Sequence, residues 1–267
     1  MNDDVVTIAR RMRRLVLEMS HRAGTPHLGS SLSCVELLAA VYHSWNVRPE
    51  SWPNPQRDRV LLSKGHAGTT LYAALRTFGF LTDDDLATYA QPGSLLGEHP
   101  SPGLPGIEIA SGSLGHGLNL AIGLALAARL QGWPSRIGVI LSDGECNEGT
   151  VWEAALFAPR HRLANLFALI DYNKWQATGR SDEVTALAPL AEKWRAFGWA
   201  VHEVDGHDLS AIQTALSTPD ADGRPTMIVA HTVKGKGVSF MEDDNNWHYR
   251  VPNAEELARA LTEVGIP

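Results

Sequence analysis

Asp143 and Asn173 are the residues whose types and spacing point most directly to chemistry. Asp143 closes the apolar run "RIGVIL" within "RIGVILSDGECNEGT", and Asn173 follows the next such run thirty positions later in "NLFALIDYNKWQATG". Gly144 permits a tight turn and lets a backbone amide approach an anion closely. Thr150 and Glu153 have capping-box spacing, so a helix beginning near Glu148–Thr150 would turn its positive end toward whatever Asp143 holds. A phosphate is the natural occupant. A carboxylate, an amide oxygen, a backbone carbonyl and phosphate oxygens together match the oxygen-only preference of Mg²⁺. Taken singly, "DG" and "DYN" are ordinary turn chemistry; their separation by one strand–helix–strand passage is what relates them. His27, His66, His99 and His248 lie beside Gly, Pro or aromatic residues. Each alone reads as readily as a cap or a satisfied polar contact, but groups that titrate near neutrality also suit proton transfer.

These residues require strands to carry them. "RVLLS", "RIGVILS", "NLFALID", "WAVHEV" and "PTMIVAHT" are compact β-rich runs. Helical patterns lie near 115–131, 150–160, 186–197 and 208–217, after N-terminal helical segments at 3–20 and 32–45, where Ser33 and Glu36 have capping-box spacing. The alternation predicts an α/β fold, a mostly parallel sheet with helices on both faces. Such sheets bind ligands at the carboxyl ends of their strands, which is where Asp143 and Asn173 fall. With no repeat or linker, residues 1–267 read as a single domain with a helical N-terminal segment and a short C-terminal helix, "NAEELARALTEV".

Bulk properties narrow the partners. A net charge of −7 without a Lys/Arg-dense stretch argues against a nucleic-acid surface. Cys34 and Cys146 form no CxxC pattern, so neither a disulfide framework nor a zinc site is indicated and a cytoplasmic setting fits. The acidic start "MNDDVV" is unlike a secretory signal, and "LNLAIGLALAARL" is too short to span a bilayer, so no membrane partner is expected.

D-G-E followed by D-x-N resembles the thiamine diphosphate motif, and five further stretches resemble transketolases. "AGTPHLGSSLS" and "LSKGHAGTTLYAAL" are similar to two histidine motifs of that family, "GEHPSP" supplies His99, and "ASGSLGHGL" is similar to its G-P-L-G turn around the aminopyrimidine. "TVKGKGVSFMEDDNNWHYR" is similar to a late loop ending in His248. The match runs from about residue 10 to residue 250 and is most specific for the N-terminal, diphosphate-binding subunit of split, two-subunit transketolases. The resemblance implies a thiamine-diphosphate-binding fold. It also implies a metal, Mg²⁺ with Ca²⁺ or Mn²⁺ as substitutes, held by Asp143, Asn173 and the Trp175 carbonyl. Cofactor contacts would come from His66, Gly112, Ser113, Leu114, Asp143, Gly144, Glu145 and Asn173. Among the catalytic residues it implies, His27 and His248 exchange protons at the C3 hydroxyl or acceptor oxygen, His99 holds the donor C1 hydroxyl, His66 lies by the diphosphate, and Glu148 joins subunit contacts near paired active sites.

The implied reaction moves a two-carbon ketol unit from a ketose or ketose phosphate to an aldehyde. It requires a separate chain carrying the pyrimidine-binding domain and its activating glutamate, in an expected α2β2 assembly, because too little sequence follows His248 to fold that domain. Departures concern specificity: Trp175 and Ala177 replace aliphatic residues, "GSL" stands for "GPL", and "WHYR" replaces the usual His-Gly ending. Alternatives are ketol transfer to an unusual acceptor, chemistry like that of deoxyxylulose-phosphate synthase, and a non-catalytic cofactor-binding paralogue.

Overall fold

The computed structural model describes residues 4–218 and 220–265. The first helix, α1 (Val5–Ala23), is opened by Asp4, whose carboxylate accepts from the Thr7 amide, and is closed by Gly24 in the left-handed region. The short α2 (Leu28–Ser33) and α3 (Val35–Ser44) follow, almost wholly buried. Then come β1 (Arg59–Leu62), α4 (Gly68–Thr77), α5 (Asp83–Ala87), α6 (Gly117–Leu130), β2 (Ile137–Ser142) and α7 (Gly149–Arg160). The chain ends with β3 (Leu166–Tyr172), α8 (Ser181–Val184), α9 (Leu190–Ala196), β4 (Ala200–Asp205), α10 (Leu209–Ser217), β5 (Thr226–His231) and α11 (Ala254–Val264).

The five strands run in the order β1-β2-β3-β5-β4, with every pair parallel. Every residue of β2 and β3 is buried, as expected of strands covered on both faces, whereas β4 is partly exposed at the edge. Alternate strand residues feed two cores. Ile140, Leu169 and Ile228 pack among residues of α1, α3, α4 and α10, while Val139, Ile170 and Val229 pack against α6, α7 and α9. The predicted α/β architecture is therefore present.

Three local expectations fail. Ser33 is the last residue of α2 rather than a cap; its hydroxyl donates to Asp171 Oδ2 (2.6 Å), and Glu36 instead accepts from Arg13 and faces His207. Thr150, expected to cap α7 with Glu153, lies inside the helix and its hydroxyl donates to the Gly115 carbonyl (3.0 Å), while Glu148 occupies the N-cap without a side-chain capping bond. The helix expected at 186–197 starts only after Pro189.

Candidate active site

The carboxyl ends of β1, β2, β3 and β5 deliver loops to one cleft of about 340 Å³. Its walls include His27, His66, His99 and His248, together with Asp143, Gly144, Glu148, Asn173 and Trp175. His27, just before α2, lies at the centre of the histidines: its ring centroid is 4.8 Å from His248, 5.5 Å from His66 and 6.2 Å from His99. Four residues far apart in sequence thus meet around one point.

Burial lowers the affinity of these rings for protons, and nearby positive charge adds to it. His27 is brought down to about 4 by burial and by His99, Lys234 and Lys64, and His248 to about 3 by burial and by Lys234. His66 falls well below its ordinary value, mainly by burial and then through Lys64. These three rings are neutral near pH 7 and are poised to accept protons or to donate a single N–H. Lys234, brought to about 8 by burial and Lys64, lies 3.0 Å from His248 Nδ1. When its ammonium donates there, the His248 proton is held on Nε2. Among the described residues His27 Nδ1 is buried without a hydrogen-bond partner, and His27 Nε2 lies 3.6 Å from Glu98.

Asp143 is fully buried. Its Oδ1 accepts from the Gly144 amide (3.0 Å), and its Oδ2 accepts from the Lys174 amide (3.0 Å) and the Ser181 hydroxyl (2.6 Å). Even so, burial, with Asp171 contributing, pushes its carboxyl up to about 6. Asn173 directs Oδ1 to the Trp175 amide (3.0 Å) and Nδ2 to Asp171 (3.0 Å). Among the described residues no backbone or side-chain donor bonds the Trp175 carbonyl, and no three His, Cys, Asp or Glu side chains cluster as soft-metal ligands do. One buried carboxylate, one amide and one carbonyl form an oxygen donor set suited to Mg²⁺ completed by phosphate. The loop after β1 and the segment before α6 pack backbone to backbone at the cleft: a Cβ on Gly65 would lie 2.4 Å from the Gly112 nitrogen. One on Gly112, at φ +121°, would lie 2.9 Å from the His99 ring.

Beneath the cleft sits a charge pair that the sequence did not reveal. Lys64, fully buried after β1, donates to Asp171 of β3 and to the Ser30 carbonyl (2.9 Å), while Ser33, Thr232 and Asn173 also donate to Asp171. Burial opposes both charges, but their attraction and these hydrogen bonds outweigh it, raising the lysine and lowering the aspartate. Asp171 therefore orients Asn173. Two predicted contacts stand apart from the cleft wall. Glu145 is turned inward, accepting from the Ser63 hydroxyl (2.5 Å) and from the Gly115 and Ser142 amides (3.0 and 2.9 Å). It joins the ends of β1 and β2 to the turn before α6. Ser113 is exposed outside the wall, between Gly112 and Leu114, which line it.

Residues 5–267 match the family described as "Transketolase, thiamine diphosphate binding domain". The chain belongs to the transketolase family. It is 44% identical over 259 residues to the 6-deoxy-6-sulfo-D-fructose transketolase subunit SqwG of Clostridium sp. (strain MSTE9), covering 96% of this chain and 94% of that protein. It is 38% identical over 258 residues to an apulose-4-phosphate transketolase subunit of Phocaeicola vulgatus, covering 96% of this chain and 92% of that one. The transketolase of Campylobacter jejuni superimposes with a TM-score of 0.90 at 28% identity; the match covers 99% of this chain but only 43% of that enzyme. The transketolase fold thus accounts for the gathering of donors at the strand ends, and the half-length relatives share nearly the full extent of the chain.

Proposed function

We propose that residues 1–267 act as one diphosphate-binding subunit of a two-chain transketolase. The subunit would hold thiamine diphosphate through Mg²⁺ and transfer a two-carbon ketol unit from a ketose, free or phosphorylated, to an aldehyde. The observation that carries this reading is the convergence of Asp143, Asn173 and four histidines on one cleft. When bound, the cofactor supplies a nucleophilic carbon and an electron sink. Asp143, Asn173 and the Trp175 carbonyl hold the metal, and Gly112, Leu114, Gly144 and His66 border the cofactor. His27 and His248, neutral and partly buried, take the proton from the donor C3 hydroxyl and return one to the acceptor oxygen. His99 binds the donor C1 hydroxyl, and Lys234 orients His248.

Two observations support a partner chain in an α2β2 assembly. The relatives named above are subunits. Leu120 and Leu130 of α6 and Leu156 and Phe157 of α7 form exposed apolar surface on adjoining helices, and Glu148 lies at the cleft end of α7. Burying such surface supplies a driving force for association. Among the described residues no helix is long and apolar enough to cross a membrane, and a cytoplasmic location accords with two free, buried cysteines. Coexpression with a pyrimidine-domain partner followed by a ketol-transfer assay tests the proposal. Turnover should require both chains, and full activity of this chain alone would overturn the split arrangement.

A further inference from the structure

The loop after β3, which carries Asn173 and Trp175, meets the loop after β5, which carries Lys234 and His248, through three side chains. Arg180 grips Asp243 with both arms of its guanidinium, NH1 to Oδ1 at 2.7 Å and NH2 to Oδ2 at 2.6 Å. The same guanidinium lies 3.8 Å from the Trp175 ring centroid, and the Trp175 indole N–H donates to Asp243 Oδ1 (2.8 Å). Within the first loop, Trp175 and Arg180 pair across an antiparallel bridge, closed by Gln176 N–H to the Gly179 carbonyl and Ser181 N–H to the Lys174 carbonyl. On the second loop, Asp243 adopts a left-handed backbone (φ +58°) and its amide donates to the Lys234 carbonyl (2.8 Å). A parallel connection runs beside this one: Asn245 donates to the Ala177 carbonyl and accepts from Lys234, which reaches His248.

We propose that Trp175, Arg180 and Asp243 form a latch between the β3 and β5 loops. The latch sets the Trp175 main-chain carbonyl and the His248 imidazole relative to one another and fixes the indole as the cleft wall between them. These are positioning residues. The Arg180–Asp243 pair is substantially exposed, with side chains 36% and 55% accessible, so its contribution to global stability is small. Its value is geometric, because a bidentate fork stacked on an indole admits one relative placement of the two loops. A lysine at 180 would keep the charge and lose both the fork and the planar stack. A phenylalanine at 175 would keep the ring under the guanidinium and lose only the N–H bond to Asp243. The cofactor consequence rests on the proposed ligation by the Trp175 carbonyl; the latch itself does not.

Hydrogen exchange of the full chain without cofactor tests the latch directly, comparing segments 174–181 and 241–246 in wild type, Arg180→Gln, Asp243→Asn and the double variant. Each single substitution should speed exchange about tenfold in both segments, and the double variant should add little, the signature of two residues acting as one unit. Trp175→Phe should remain closer to wild type than Arg180→Lys. Acceleration confined to the substituted segment, additive effects, or no change would overturn the proposal. Calorimetry with thiamine diphosphate and Mg²⁺ on the complex coexpressed with the partner chain reads the consequence: binding about tenfold weaker in Arg180→Gln supports positioning of the carbonyl. Unchanged binding alongside loosened loops would remove the claim that the latch positions that carbonyl. If the wild-type complex bound no cofactor, the functional proposal would fail while the exchange result still decided the latch.

Discussion

Asp143 is held at a cost that one substitution can expose. Its buried carboxyl has a folded value of about 6 against 3.8 for the ordinary group. Between those values the folded chain binds more protons than the unfolded one, so this residue destabilises the fold increasingly as pH rises through that window and fully above it. At 1.36 kcal/mol per pH unit, the penalty is about 3 kcal/mol at pH 7.5 and about 1.6 kcal/mol at pH 5. Asp143→Asn removes the charge at nearly constant shape, but it turns one oxygen that accepts from Gly144, or from Lys174 and Ser181, into an amide N–H. That mismatch costs about 1–2 kcal/mol. In the absence of metal the variant should therefore be more stable than wild type by about 1–2 kcal/mol at pH 7.5, and this difference should fall by about 1.4 kcal/mol at pH 5. Urea unfolding of both proteins with chelator present, at the two pH values, measures it; histidine titration common to both cancels in the difference. The same variant should lose metal-dependent binding of thiamine diphosphate. A variant less stable than wild type at both pH values, with a gap independent of pH, would refute the reasoning.

Further outcomes follow from the same geometry. His27→Gln and His248→Gln should each lower ketol-transfer rates of the two-chain enzyme about 10²- to 10⁴-fold if these rings move protons. The folded values of about 4 and about 3 lie below the ordinary 6.5, so wild-type stability is lost as pH falls below 6.5, and each variant should show a shallower acid loss in unfolding experiments. Asp171→Ala strands the Lys64 ammonium in the interior and should cost about 3–5 kcal/mol in chemical denaturation. Gly112→Ala meets both a left-handed backbone and the His99 ring, so it should raise the KM for the ketose donor and destabilise the chain by about 1–3 kcal/mol. Metal-dependent cofactor affinity, measured by calorimetry, should weaken as pH falls through about 6, because protons then compete with the cation for Asp143.

Much of the architecture was legible because the strands are short apolar runs separated by helical periodicity, and the site because its motifs sit at strand ends. What remained hidden depends on partners from distant segments. "LSKGH" announces His66, yet nothing local shows that its lysine will pair with Asp171 from another strand. Glu145 follows Asp143 by two positions, but the 3₁₀ turn at 144–147 directs it inward to Ser63 and the Gly115 amide. Ser33 had the spacing of a cap, and the buried Asp171 carboxylate claimed its hydroxyl. Trp175 read only as a departure that replaces an aliphatic residue; the structure shows its ring covered by Arg180 and its N–H bound to Asp243.

The backbone amide of His27 donates to the carbonyl of His248 (2.8 Å), which joins the first and last of the clustered histidines from near opposite ends of the sequence. A ring of catalytic groups closed by such a contact cannot form from an incomplete chain during synthesis. Contacts of long sequence separation also form late, since the loop between their ends must first be closed. A nascent chain can lay down β1, β2 and β3 and still lack a functioning cleft. Competence to bind substrate should therefore emerge only with the final folding event, when the segment bearing His248 docks.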